Sequence, residues 1–290
     1  MNWARRSFDA LERGLAPLVV RQPGMALSAA SALGSLRNRL SRRWPSPEQV
    51  QSLFPHLDRG SARRVAWQIG GFEARSRLLI ASLHRSGLDE VRPLLAAPPA
   101  PLSALRPPLI LGFFHVGAVH ALGAAIERLP APVLLLRQGS PYTPRPPVRL
   151  QTTEGDSQRR AASFRRALIH LAGGGFVVVA LDIVPGPGFR VPCLGRKIEL
   201  ARGPFAMARL AGVPLVPLEA RWRRNGVEIE IGEALAGGDS ASGPEAWESA
   251  LAASAARWLE RYLLASPAEI GLGLMRALLA GDATPQPAAY

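Results

Sequence analysis

The 290-residue chain has one cysteine, one lysine, few aromatic residues and no long apolar run, and each shortage removes a class of protein. A single thiol, Cys193, cannot build a disulfide framework or a multi-cysteine metal site. It lies in the apolar stretch "VPCLG", where a packed thiol is expected rather than a nucleophile. No segment reaches the about 20 consecutive apolar residues that a membrane-spanning helix needs. The best attempt, "GLAPLVV" followed by "PGMALSAASALG", is split by Arg21, Gln22 and Pro23. Apolar runs near residue 1 are short and interrupted by charge, so no signal peptide is expected. The glycine trio 173–175 is not followed by Gly-Lys-Ser/Thr and is no phosphate loop. No His, Cys, Asp or Glu set has metal-ligand spacing, so neither a metal nor another cofactor is expected.

What the chain does have is arginine. The net charge is +13, with 48% hydrophobic and 20% charged residues, a balance that suits a folded protein and not a disordered one. Residues 1–106 hold sixteen arginines against seven acidic residues, while 107–290 hold nineteen basic and fifteen acidic. A basic first third seeks an anionic partner. There is no paired Cys/His pattern, RNP-like aromatic run or basic-region heptad array, so no nucleic-acid partner is expected. The anionic surface expected is a membrane, with the chain peripheral on the cytoplasmic side of the cell inner membrane.

Periodicity divides the chain into a basic, membrane-facing helical region (1–106), an α/β domain (107–270) and a tail (271–290). Residues 1–95 read as several short helices; Val65, Ile69, Phe72, Leu79 and Leu83 recur near helical spacing. "LLAAPPAPLSALRPP" is a proline-rich connector. Strands are expected at 109–114, 133–137 and 176–181, with helices at 117–129, from an Asp156/Ser157 cap to Leu171, and from Pro204 to Ala211. The stretches "QGSPYTPRPP" and "DIVPGPGFRVPCLGRKIELARG" read as loops. A hairpin is expected over 213–222 and 227–231, turning at Asn225–Gly226. A long helix should follow, with Ser242 and Glu245 as a capping box. Alternation of this kind predicts an α/β fold: a mixed, largely parallel sheet flanked by helices, with an N-terminal helical region.

Two of the five histidines fall in "LILGFFHVGAVHALG", where a buried strand runs into a helix. His115 stands at the strand's end, the edge at which open α/β sheets bind ligands. An imidazole placed there is suited to take a proton from an attacking hydroxyl, with helix-start amides steadying an oxyanion.

The order of features from here on resembles the lipid A biosynthesis acyltransferases, the family that adds lauroyl or myristoyl chains to the lipopolysaccharide precursor and includes phosphatidylinositol-mannoside acyltransferases. His115-x-x-x-x-His120 is followed by Arg149, a polar-capped helix, "GGGFVVVALD", "VPCLGRKIELARGPFAMARLAGVPLVP", a hairpin and a long helix ending in "SPAEI". The resemblance covers roughly residues 107–270 and is most specific from Gly173 to Pro217. It implies a glycerolipid-acyltransferase-like fold and transfer of a fatty acyl chain from acyl carrier protein or acyl-CoA to a hydroxyl of an anionic lipid or glycolipid. His115 matches the family's base. His120 stands where the family has an acid, and Asp182 matches its strand-end aspartate. Arg149, Arg196, Arg202 and Gly203 match substrate-binding positions, arginine being suited to phosphate. The chain departs from the family in its Arg-rich, broken N-terminal region and in a final segment without the usual tryptophan and basic cluster. Three readings of the box stand open. Another carboxylate serves His115, whether Asp182 or a loop acid at 154 or 156; His120 works unaided; or the protein binds lipid without catalysis.

Overall fold

The computed structural model describes residue 14 and residues 22–41, 45–86, 92–95, 101–137, 148–152, 157–184, 186–223, 226–239, 241 and 243–280. Its centre follows from strands that are apolar on both sides. Strands β1 (Leu109–Phe113) and β4 (Phe176–Ala180) are buried at every position, and β2 (Val133–Arg137) at all but its last. A strand with no polar face must be covered on both sides, which is the situation of an interior strand in a parallel sheet. The six-stranded sheet runs β3-β2-β4-β1-β7-β8, with β3 (Val148–Thr152), β7 (Leu215–Arg223) and β8 (Gly226–Ile231) completing it. All neighbours are parallel except β7 and β8. The fold is therefore α/β with a mostly parallel mixed sheet flanked by helices.

Alternate side chains of each strand enter two separate cores. Ile110, Phe114, Val177 and Val179 pack with α6 (Ser157–Ala172), α7 (Arg202–Ala211), α8 (Pro244–Ala265) and α9 (Leu272–Ala280). Leu109, Leu111, Phe113 and Val178 pack on the other face, with α5 (Leu122–Ile126) and α1 (Pro23–Ser41). Helix α3 (Arg59–Ser86) serves both: Val65 and Ile69 enter the first core, Phe72, Leu79 and Leu83 the second. The expected periodicity is thus real, and it belongs to one 28-residue helix. Before it lies α2 (Pro47–Leu53), with a Ser46/Gln49 capping box, and after it the short α4 (Pro101–Ala104).

Several boundaries differ from the sequence reading for identifiable reasons. The helix expected over 117–129 begins only as a 3-10 turn at Val119–Ala121 and continues as α5. Gly117 takes φ +58, and the amides of Gly117 and Ala118 donate to the Glu269 and Ala220 carbonyls, so no helix starts there. Helix α7 starts at Arg202, two residues before Pro204, a place where proline's missing N–H costs nothing. The stretch read as a loop over 182–203 contains the antiparallel pair β5 (Phe189–Cys193) and β6 (Arg196–Leu200). Leu194 and Gly195 turn it with φ of 51° and 67°, and the Leu194 amide donates to Glu260 Oε1 at 2.7 Å. Strand β3 was likewise hidden behind a proline-rich loop. The β7–β8 register pairs Arg223 with Gly226, which places Gly226 in the strand and not in the turn. Gly243, with no side-chain cap, is the N-cap of α8; Ser242 lies outside the described residues. Asp156, expected to cap α6, lies outside them too.

Helices α1 and α3 cross closely because small residues meet there. A Cβ on Gly34 would collide with the Gly70 carbonyl and stand 2.6 Å from Ala74 Cβ; one on Gly71 would stand 2.7 Å from Ser31 Oγ. Gly34→Leu should therefore force the helices apart at a cost of about 1–3 kcal/mol, the usual range for overpacking. Urea unfolding measures this, and an unchanged midpoint would show that α1 does not dock through Gly34.

Candidate active site

The register of β1 on β4 brings the principal side chains together. Phe113 pairs with Ala180, so residues 115 and 182, each two positions further, leave the sheet side by side. Asp182 uses both carboxylate oxygens on His115. Oδ2 accepts from the His115 amide at 2.8 Å, and Oδ1 lies 2.8 Å from ring Nδ1. A carboxylate that accepts at both oxygens requires the proton to be on Nδ1, so the free lone pair is on Nε2. The Asp182 side chain is nearly enclosed, while that of His115 keeps 30% of its surface exposed.

That exposed part faces a cavity of about 920 Å³. Its walls are mainly apolar and come from both faces of the sheet: Ile126, Leu135 and Val178 on one side, Phe164, Val179 and Met207 on the other. The helices following β1 and β4 lie on opposite faces, and in open α/β sheets a crevice forms where neighbouring strands part in this way. Helix α9 closes another side, its Leu272 amide donating to Glu73 Oε1 on α3 at 3.3 Å. Burial raises the Glu73 carboxyl above the usual range. Arg77, Arg137, Arg160, Arg202 and Arg276 also line the cavity, so a basic set surrounds an apolar interior.

Of the residues singled out in the sequence, His115, His120, Asp182, Arg202 and Gly203 line this one cavity. Arg202 also donates to Glu245 at 2.9 Å and stacks over Phe189. Arg149 is exposed on the edge strand β3, and Arg196 follows the β5–β6 turn; neither lines the cavity. Residues 154 and 156 lie outside the described residues. Of the amides after His115 expected to steady an oxyanion, those of Gly117 and Ala118 are already bonded to carbonyls. The first turn of α7 reaches the cavity wall at Arg202 and Gly203 with no side-chain cap, while the Ala201 amide is bonded to the Leu181 carbonyl. Cys193 is buried and its thiol is pushed up to about 12, which suits a packing role.

His120 sits in the 3-10 turn and is 7% exposed. Burial, and then the positive charges of His115, Arg137 and His84, lower its pKa to about 3. It is a neutral ring at neutral pH and supplies no negative charge.

Sequence reasoning passed over two buried acids behind the His115 loop. Glu219, within the apolar run "LVPLEARW", accepts from the Phe114 amide. Glu269 accepts from the Tyr262 hydroxyl, and burial raises its carboxyl. An acid at an inward position of an otherwise apolar strand was the readable signal for Glu219. No family model matches the chain, and no curated protein matches it significantly. The acyltransferase resemblance accordingly rests on the residues named above.

The depressed His120 pKa has a consequence for stability. The unfolded chain protonates this ring near pH 6.5 and the folded chain only near pH 3, so the unfolded state binds more protons in between. His120 should therefore cost stability as pH falls from 6.5, at about 1.4 kcal/mol per pH unit. Urea unfolding at pH 7 and 4.5 should show a smaller loss for His120→Gln than for the wild type. Equal losses would mean that the folded protein tolerates the charged ring.

Proposed function

We propose that the protein is an acyltransferase that moves a fatty acyl chain from a thioester, acyl carrier protein or acyl-CoA, to a hydroxyl of an anionic lipid or glycolipid. The observation that carries this reading is the His115–Asp182 pair with Nε2 open to a large, mainly apolar cavity. The acceptor hydroxyl gives its proton to Nε2 while its oxygen attacks the thioester carbonyl carbon. Asp182 holds the ring and offsets the imidazolium charge, and the first turn of α7 faces the oxyanion. The C–S bond then breaks, the carbonyl re-forms, and the thiolate leaves with the proton from His115. Both hydrogen bonds of His115 go to Asp182, so no serine or cysteine of the described residues is poised as a covalent nucleophile. Apolar walls suit the acyl chain, and the surrounding arginines suit phosphate-bearing parts of donor or acceptor. With no described helix long and apolar enough to cross a membrane, the proposal includes peripheral contact with the cytoplasmic leaflet of the inner membrane through the basic N-terminal region.

His115→Ala should lower transfer from a thioester donor by about 10²–10⁴-fold without altering the circular dichroism spectrum. Asp182→Asn should cost a comparable factor, by analogy with the about 10⁴-fold loss in serine-protease triads. His120→Ala should cost far less than either. Wild-type turnover in a folded His115→Ala protein would remove the base. A wild type that binds lipid yet transfers from no donor would be a lipid-binding protein.

The membrane half of the reading is tested separately. The chain should sediment with phosphatidylglycerol vesicles, and less so as salt screens the attraction. Equal, salt-indifferent binding to neutral vesicles would mean that charge does not drive it.

A further inference from the structure

The tip of β1 is held from both sides by side-chain carboxyls in place of backbone. On the β4 side the His115 amide donates to Asp182; on the β7 side the preceding amide, Phe114, donates to Glu219 Oε1 at 3.1 Å. Gly112 pairs with Pro217 in the parallel ladder, so Glu219 stands level with Phe114, where the β1–β7 ladder has just ended. Glu219 is fully buried, and its second oxygen, Oε2, is buried without a hydrogen-bond partner. A buried acid facing an amide one residue before the base, on the opposite flank from the base's own carboxylate, is costly to keep for packing alone.

We infer that Glu219 is a positioning residue for the His115–Asp182 pair: by accepting from the Phe114 amide it fixes the end of β1 so that the His115 ring meets Asp182. It acts through Phe114 and the backbone and touches no substrate. The proposal rests on the acyl-transfer reading only for what the pair does. The groups around Glu219 are Asp182 just beyond β4, Glu230 from the paired strand β8, Arg221 on its own strand and Tyr262 from α8. Burial comes first in raising the Glu219 carboxyl well above the usual range, and the Asp182 and Glu230 charges add to it while the Phe114 amide and Arg221 oppose it. The amide and the ring of His115 both bond Asp182, whereas Glu219 has one amide and an unpartnered second oxygen.

The test is an NMR titration of the ¹⁵N-histidine-labelled full chain, following the His115 ring in the wild type, Glu219→Gln and Glu219→Met, together with kcat and KM. Glutamine keeps a neutral acceptor for the Phe114 amide, so the His115 midpoint and its low-field Nδ1 proton should match the wild type, and kcat should be retained. Methionine fills the space without an acceptor. Its His115 midpoint should fall, the Nδ1 proton should move upfield, and kcat should drop by about 10²-fold at unchanged KM, the scale of a small misplacement of a catalytic group. A lowered midpoint in Glu219→Gln would show that Glu219 acts on the ring through charge and not through the Phe114 amide, and would overturn the proposal. So would a folded Glu219→Met protein with the wild-type midpoint and Nδ1 signal. If the methionine variant does not fold, the glutamine variant decides through the same two signals. The titration needs no turnover, so a wild type without transfer ends the functional reading alone and leaves Glu219 to be judged by NMR.

Discussion

One carboxylate, that of Asp182, makes two contacts on which the rest of the site depends. By accepting from the His115 amide it continues the β1–β4 ladder one step beyond the strands, and by accepting from Nδ1 it sets the ring's tautomer and direction. The two bonds reinforce each other: the first fixes where the backbone of His115 lies, and the second then leaves the ring little freedom. Burying a carboxylate this deeply is expensive unless its oxygens are satisfied. Here an amide and a ring N–H satisfy them, so the cost of enclosing Asp182 and the orientation of the base are met by the same atoms.

The cavity follows from the same place in the sheet. Strands β1 and β4 are neighbours, yet the chain leaves them for opposite faces, toward α5 and toward α7. The space left between the departing segments is walled by both cores, which explains why it is so apolar. A base at the mouth of such a space stands against apolar walls, where the attraction between imidazolium and Asp182 is stronger than in water. Arg77, Arg160, Arg202 and Arg276 enter from four different helices, so the basic lining is a product of the tertiary fold and not of one sequence motif.

This distinction also accounts for what could be read from the sequence. Doubly apolar strands such as Phe176–Ala180 were legible because burial on both faces leaves a continuous apolar run. His115 was legible because it ends such a run. Strand β3 and the β5–β6 hairpin were not, since one follows a proline-rich stretch and the other turns on Leu194, a residue that rarely takes positive φ. The partner of His115 was harder to read: spacing offered His120 and the resemblance offered Asp182, and the contact that forms, with Asp182, spans 67 positions and is set by strand register. Glu219 belongs to the same class: its function depends on which amide the neighbouring strand presents to it.

Burial also resolves the apparent conflict of placing a second histidine five residues from a base. A protonated His120 would oppose every step in which His115 gains a proton. The enclosure that holds its pKa near 3 keeps it uncharged across that range, so it adds shape and polarity without opposing charge. Burial likewise raises the Glu219 carboxyl on the other side of β1. Desolvation thus disfavours the charged form of two titratable groups next to the dyad. A proton arriving at Nε2 therefore meets the Asp182 carboxylate across the ring, fixed 2.8 Å from Nδ1 on the far side.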